Sequence, residues 1–307
     1  MKVSLSVIIC TYNPDEFIFS KCLHAIETAS LNFAPTEIII IDNNSTNNFQ
    51  EKNYLKKFLE KNQYARIIKE EKQGLTPARL KGIQEAHGEI LVFVDDDNFV
   101  EPDFFKNGIE IALNNPQIGA WSGQVKLVFE TEPEPWTKKY WGLLVYREFS
   151  INKWSNISQY NETMPCGAGL YVRKSVALFY NNLHQLGKRN IQLDRSVNSL
   201  FSAGDNDLAA CACDIGFGVG LFKDIIVKHY IPRKRLKLDY LLKLTEGISA
   251  SAVVFNSFRG DLPKIKTLKN KIACVFRYLL MTNLQKAFAK AHKKGEERGI
   301  NLLIINE

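Results

Sequence analysis

The feature that most constrains the fold of this chain is a repeated change from a short apolar run to an amphipathic stretch. Four apolar runs near the start have the length and composition of buried strands: Ser4–Cys10, Glu37–Ile41, Ala65–Lys69 and Glu89–Val94. Helical apolar spacing separates the first strand from the second and the third from the fourth. This alternation predicts an α/β fold with a Rossmann-like, mostly parallel sheet, right-handed crossovers and flanking helices.

Composition narrows the class of protein further. Hydrophobic residues make up 45% of the chain and charged residues 24%, a balance that excludes a disordered or collagen-like protein. No apolar run reaches the ~18 residues of a membrane span. The six cysteines show no CxxC spacing, which favours reduced thiols over a disulfide framework or zinc site. Because the first residues lack the pattern of a secretory signal, we expect a cytoplasmic location.

Positive charge is concentrated towards the C-terminus. Residues 231–300 hold 16 Lys+Arg against 5 Asp+Glu, whereas the whole chain has a formal net charge of +7. Two interpretations stay open: solvated helix faces, or a surface that binds membrane phospholipid or a lipid phosphate. Apolar spacing predicts helices over 239–257 and 267–294. We therefore expect a main domain over 1–232 and a basic helical C-terminal extension over 233–307, with peripheral contact to the inner membrane face and no nucleic-acid partner.

Polar residues follow three of the predicted strands at the point where each strand ends. They are Thr11, Tyr12 and Asn13 after the first strand, Asp42 after the second, and Asp95, Asp96 and Asp97 after the fourth. Open parallel sheets bind ligands beyond the carboxyl ends of their strands. We therefore expect these side chains to converge on one site.

The three consecutive aspartates are the strongest candidate for a cation site. Adjacent carboxylates repel one another unless a cation or hydrogen-bond donors neutralise them, and oxygen ligands suit Mg²⁺ or Mn²⁺. Alternate residues of an extended backbone share a side, so Asp95 and Asp97 are expected to face the same way. A cation held there could in turn hold a diphosphate, and an acidic turn without a ligand is the alternative.

Several segments, in order, resemble a known family. SVIICTYNPDE, EIIIIDNNS, KQGLTPARLKGIQEAHGEILVFVDDDN and Pro102 are similar to the nucleotide-sugar-binding half of family 2 glycosyltransferases, which have the GT-A fold. The resemblance covers residues 4–105 and makes 106–232 the acceptor-side half. It implies transfer of a sugar, with inversion, from a nucleotide-diphosphate sugar (a UDP-sugar first) to a saccharide or lipid-linked acceptor. It also implies a divalent cation, Mn²⁺ or Mg²⁺, and a role in bacterial surface polysaccharide or glycan assembly.

The resemblance also assigns roles to individual residues. It makes Thr11, Tyr12, Asn13 and Asp42 hold the nucleoside, places Arg79 near the base or phosphate, and makes Asp95 and Asp97 the DxD motif. In the same way, Asp96 contacts the ribose and Asp97 is a metal ligand. A late histidine is often a further ligand in such enzymes, which points to His229, although a structural histidine is the alternative. Arg233-Lys234-Arg235 could close over the diphosphate or be solvated surface.

The second half departs from the family pattern at the motif that carries the catalytic base. Residues 202–208, SAGDNDL, occupy the place of the family's Gly-Glu-Asp-x-x-Leu, and alignment on Leu208 implies that Asp205 is the base. Gly204 then stands where the family has Glu. Asp207 remains the alternative base, and it also suits the start of a helix predicted over Asp207–Ile215.

The departure at Gly204 also keeps a second function open. A protein of the same fold that binds nucleotide sugars or serves as a scaffold, without catalysis, is the alternative to the enzyme. A nucleotidyltransferase is disfavoured because the sequence lacks a glycine-rich loop with Arg or Lys after the first strand.

Overall fold

The computed structural model describes residues 4–158, 162–195, 200–261 and 278–305. Its strands are β1 (Leu5–Thr11), β2 (Glu37–Asp42), β3 (Ala65–Lys69), β4 (Ile90–Phe93), β5 (Asn98–Val100), β6 (Ile118–Phe129), β7 (Lys153–Ser155), β8 (Leu170–Arg173) and β9 (Gly218–Ile231). Its α-helices are α1 (Glu16–Asn32), α2 (Asn53–Lys61), α3 (Leu75–Glu85), α4 (Phe104–Asn114), α5 (Lys174–Gln185), α6 (Gly204–Asp214), α7 (Leu238–Ser257) and α8 (Asn283–Ile305). The four strands predicted before residue 95 are confirmed to within two residues.

The described strands form one sheet in the order β3-β2-β1-β4-β8-β6-β9-β5, and β7 also pairs with β9. Strands β3, β2, β1 and β4 are all parallel, so their carboxyl ends lie at one edge, as predicted. Strand β8 is antiparallel to both β4 and β6. Strand β5 pairs antiparallel with the end of β9, which brings the chain after β4 against the chain before α7.

Helices cover both faces of the sheet. Val7 and Ile9 of β1 join one apolar cluster with residues of α1, α2 and α4, whereas Ile8 between them joins a second cluster with residues of α3, α5 and α6. Burial of both faces explains why β1 is a continuous apolar run rather than an alternating one. Helix α3 approaches β1 so closely that a Cβ at Gly82 would overlap the side chain of Ile8.

The two C-terminal helices pack against each other and against the body of the protein. Gly295 and Gly299 of α8 lie against backbone atoms of α7, where a larger side chain would collide. Val254 and Phe255 of α7 join the cluster that includes α6. Helix 239–257 matches α7 closely. Residues 267–277 of the second predicted helix lie outside the described residues, and in the described part α8 begins only at Asn283 and continues past residue 294 to Ile305. A domain boundary at 232 stays a prediction. Among the described helices, none combines the length and apolar character needed to cross a bilayer.

Candidate active site

A cavity of about 270 Å³ lies beyond the carboxyl ends of β1 and β4. It is bounded by the loop before α6 and the end of β9. Seven of the sequence-predicted site residues line it: Tyr12, Arg79, Asp95, Asp96, Asp97, Asp205 and His229. A neighbouring cavity of about 280 Å³ shares Tyr12 and Arg195 with it and is also lined by Thr11 and Asn43. The convergence expected from the strand ends is therefore present for most of the candidate residues.

Asn13 and Asp42 do not line either of these cavities. The Asp42 carboxylate accepts hydrogen bonds from the backbone N–H of Ser45 (2.9 Å) and from the Gln50 amide (2.5 Å). The Asn13 side-chain oxygen accepts from the backbone N–H of Thr46 at 2.8 Å, and Asn13 itself has a φ of 47°. Both side chains thus hold the loops after β1 and β2 in shape, and their contact with a nucleoside stays a prediction.

Two of the three aspartates after β4, Asp96 and Asp97, have different surroundings. Asp96 accepts a hydrogen bond of 2.5 Å from the Thr11 hydroxyl, but burial and the neighbouring Asp97 charge raise the pKa of Asp96. Burial also opposes ionisation of Asp97, yet His229 in its protonated form, together with Arg235, more than offsets burial and holds the pKa of Asp97 below its usual range. Two adjacent carboxyl groups are therefore driven apart in pKa, with the negative charge placed on Asp97.

Asp97 meets His229 because of strand register. Asn98, the first residue of β5, pairs with His229 in β9, so the residue before it faces the same histidine. The Asp97 carboxylate lies 3.5 Å from His229 Nε2 and 3.0 Å from Arg235 Nη1. His229 Nδ1 lies 3.1 Å from the Leu144 carbonyl oxygen, which can only accept, so Nδ1 carries the hydrogen. In the neutral ring, Nε2 then carries a lone pair, and it lies 3.0 Å from Arg235 Nη1, a group that can only donate.

This arrangement fits a cation that shares its ligands with a substrate. Within the described part of the chain, no group of three His, Cys, Asp or Glu side chains is arranged to hold a metal ion. Asp97 and the unprotonated Nε2 of His229 supply two donors, which converge on the guanidinium of Arg235. Mg²⁺ commonly takes one or two carboxylates together with substrate phosphates. The donors present therefore suit a cation bound together with a diphosphate.

Asp205 lies in the first turn of α6 and faces the cavity. Its carboxylate accepts a hydrogen bond from the backbone N–H of Gly167. Burial raises the pKa of Asp205, and the guanidinium of Arg79 counteracts part of that rise. Arg79 is itself buried, and its Nη1 donates to the carboxylate of Asp194 at 2.7 Å. Burial alone would lower the pKa of Arg79, but Asp194 and Asp205 more than compensate and raise it.

Asp207 lies on the same helix but points away from the cavity. Two residues along an α-helix correspond to a rotation of about 200°, so Asp205 and Asp207 face opposite sides. The Asp207 carboxylate is bound by Arg189 Nε at 2.7 Å and by Arg259 Nη1 at 2.8 Å. All three side chains are buried. Because α6 begins at Gly204 rather than at Asp207, both aspartates belong to its first turn.

Three groups at the site were not found from the sequence. Asp194 and Arg195 line the cavity, and the Leu144 carbonyl orients His229. No helix or strand periodicity marks the segment before α6, and a backbone carbonyl carries no sequence signal. Arg235 was indicated only as one of three consecutive basic residues.

The comparison with known families and proteins gives a consistent result. The family described as "Glycosyl transferase family 2" matches residues 6–177. The putative glycosyltransferase EpsH of Bacillus subtilis is 28% identical over 109 residues, which are 36% of this chain and 30% of that protein. The uncharacterized glycosyltransferase YibD of Escherichia coli is 33% identical over 111 residues, 36% of this chain and 31% of that protein. The matched stretch thus spans about a third of the length of these curated relatives.

A solved structure supports the same fold. The mannosyltransferase PcManGT from Pyrobaculum calidifontis, in complex with GDP-Man and Mn²⁺, superposes with a TM-score of 0.57 at 16% identity. The superposition covers 100% of this chain and 80% of that one. The likeness shows a GT-A fold, as expected from the sequence. Since the family match spans more than half of its residues, the chain belongs to glycosyltransferase family 2.

Proposed function

We propose that this protein transfers a sugar, with inversion, from a nucleotide-diphosphate sugar to an acceptor hydroxyl. The observation that carries the proposal is that a half-buried candidate base, Asp205, and the three aspartates after β4 line the same cavity of about 270 Å³. General-base chemistry and charge neutralisation at a diphosphate are the two things that such a transfer requires. The cavity brings both kinds of group within reach of one substrate.

On the donor side, we assign nucleotide binding to Thr11, Tyr12, Asn13, Asp42, Arg79, Asp95 and Asp96. Tyr12 borders both cavities and is 46% exposed, so its ring is available to stack on a planar base. Asp97 and His229 would hold Mn²⁺ or Mg²⁺. A cation bound there would neutralise the charge that develops on the leaving diphosphate.

On the acceptor side, we assign the general base to Asp205. The acceptor oxygen attacks the anomeric carbon as its proton passes to the Asp205 carboxylate. The bond between that carbon and the diphosphate oxygen breaks, and its electron pair leaves with the nucleotide. Attack on the face opposite the leaving group inverts the anomeric centre. A raised pKa suits this role, because a stronger base takes the proton more readily near neutral pH.

The donor is tested by a screen of UDP-, GDP- and dTDP-sugars for thermal stabilisation in the presence of Mn²⁺. A ligand at about 100 times its dissociation constant adds about 2.7 kcal/mol to the free energy of unfolding. We expect one nucleotide, UDP first, to raise the melting temperature, and the matching sugar to be hydrolysed or transferred. Product NMR should then show the inverted anomer. Binding without any turnover would support the alternative, a nucleotide-sugar-binding scaffold.

We also propose peripheral contact with the inner face of the membrane, in the cytoplasm, where a lipid-linked acceptor would be met. Residues 231–300 supply the positive charge, and the described end of α8 adds the exposed Ile304 and Ile305. Basic side chains near an anionic surface contribute ~1 kcal/mol each. Co-sedimentation with phosphatidylglycerol vesicles at low salt is expected, and a protein that stays in the supernatant would contradict this contact.

A further inference from the structure

The motif around Asp205 differs from the family pattern at Gly204, and the structure shows what fills the space. A Cβ built on Gly204 would overlap the carboxylate of Asp194, since the nearest three atoms to it are the two oxygens and the carboxyl carbon of that residue. The carboxylate of Asp194 thus lies where the first atoms of a side chain at position 204 would stand. Asp194 in its present place requires glycine at position 204.

Asp194 is fully engaged with helix α3. Its Oδ1 accepts from Arg79 Nη1 at 2.7 Å, and its Oδ2 accepts from the Thr76 hydroxyl at 2.9 Å. Asp194 and Arg79 each expose 5% or less of their surface. Water therefore does not screen this ion pair, and it fixes one end of the Arg79 guanidinium.

The other end of the same guanidinium lies near the candidate base. A Cβ on Gly167 would sit 3.0 Å from Asp205 Oδ2 and 3.1 Å from Arg79 Nη2, so these two side chains flank one glycine. Asp194 thus competes with Asp205 for Arg79. Were Arg79 released by Asp194, its guanidinium could pair with Asp205, which would occupy the lone pairs that must accept the acceptor's proton.

We propose that Asp194 is a positioning residue: it supplies from the loop before α6 the carboxylate that Gly204 lacks, and it holds Arg79 beside Asp205 without letting the two pair. This inference rests on the proposed function, because it takes Asp205 as the base. Arg79 on α3 and Asp194 are the charged groups that act on the pKa of Asp205. Asp95–Asp97 after β4, together with Arg195, His229 and Arg235, face it across the cavity.

The test moves the carboxylate from one position to the other. Asp194→Ala is expected to lower kcat by up to about 100-fold, since a misplaced group near the reacting atoms costs about that much. It should also shift the acid limb of the kcat/KM profile to lower pH, because Arg79 then pairs with Asp205. In the Asp194→Ala background, Gly204→Asp should restore both kcat and the pH at which the acid limb of the kcat/KM profile lies. Gly204→Asn in that background, of nearly equal size but neutral, should restore neither.

Each outcome decides between the possibilities. The role of Asp194 is overturned if Asp194→Ala keeps the wild-type kcat and pH profile. It is also overturned if Gly204→Asn and Gly204→Asp rescue Asp194→Ala equally well. If Asp194→Ala melts below the assay temperature, Asp194→Asn, which keeps the size and an acceptor for Thr76, is interpreted in the same way. Asp205→Asn is measured in parallel. If Asp205→Asn turns over donor at the wild-type rate, both the proposed function and this inference are overturned. If Asp205→Asn loses turnover, the proposed function is supported, and the Asp194 variants then decide the inference separately.

Discussion

Two aspartates in the first turn of α6 offer a direct contrast between a catalytic and a structural role. The Asp207 carboxylate holds two buried guanidinium groups, those of Arg189 and Arg259, at 2.7 and 2.8 Å. Their side chains are 7% and 5% exposed, so neither charge can turn to water without rearrangement. Removing one partner of a buried ion pair costs about 3–5 kcal/mol, because the remaining charge is left uncompensated.

We therefore expect Asp207→Asn to lower the free energy of unfolding by about 3–5 kcal/mol. In proteins of somewhat smaller size, each kcal/mol of lost stability lowers the melting temperature by ~2–4 °C, so the melting temperature of Asp207→Asn should fall by roughly 10 °C. Asp205→Asn should melt close to the wild type, because its amide oxygen can still accept from Gly167 and the charge it loses is one that burial disfavours. Its transfer rate should fall by about 10²–10⁴, the usual contribution of a general base.

The assay combines melting by circular dichroism with donor turnover, measured well below every melting temperature. Asp214→Asn is the matched control for the buried cluster, since Asp214 meets the same Arg259 at 3.3 Å but is 28% exposed, and it should cost less than about 1 kcal/mol. The reasoning is refuted if Asp207→Asn keeps wild-type stability and loses turnover while Asp205→Asn remains active. In that case Asp207 would be the base.

Individual contacts lead to three further predictions. Burial raises the pKa of Asp205, and the base is active only when it is deprotonated. As the pH is lowered, kcat/KM should therefore begin to fall at a pH above the usual pKa of an aspartate. Arg79→Gln should move this limb still higher, and an unchanged limb would contradict the role of Arg79 in lowering that pKa. Without nucleotide, Arg235→Ala should bind Mn²⁺ more tightly than the wild type, because Arg235 contacts both proposed metal ligands, Asp97 and His229. Electron paramagnetic resonance measures the Mn²⁺ affinity, and Lys234→Ala, which changes an exposed neighbour, is the control. Equal affinity in the two variants would argue against competition between Arg235 and the cation. Gly108→Ala should lower the free energy of unfolding by about 1–3 kcal/mol, because its Cβ would overlap the Tyr171 ring. Gly142→Ala is the control, since a Cβ there meets nothing within 4 Å. Similar melting temperatures for the two variants would be inconsistent with this packing.

The strands and the edge at which the site lies were predictable because their signals are local. A run such as residues 38–41 is apolar on both faces wherever it folds, and parallel strands must then bring their carboxyl ends to one edge. The aspartates after β4 and Tyr12 after β1 therefore reach one cavity. Asp42 is the last residue of β2, yet its carboxylate binds within the loop that follows, because Gln50 and Ser45 fold back onto it.

The histidine and the arginine beside Asp97 illustrate a second limit. His229 is brought to Asp97 by the pairing of β5 with β9, which joins segments far apart in the chain. Its tautomer depends on the carbonyl of Leu144, a group that every residue possesses. Residue types and spacing could suggest a histidine near the acidic cluster, but they could not determine its orientation or the placement of Arg235.

By itself the sequence determined the α/β alternation, the resemblance to family 2 glycosyltransferases and the polar edge, since apolar periodicity and motif spacing are properties of neighbouring residues. Only the tertiary structure decided which aspartate of α6 faces the cavity and which is held by arginines. It also decided that Asp194 lies against Gly204 and pairs with Arg79, 115 positions away in the chain. Such contacts are fixed by how helices and loops pack on the finished sheet, and no local pattern encodes that packing.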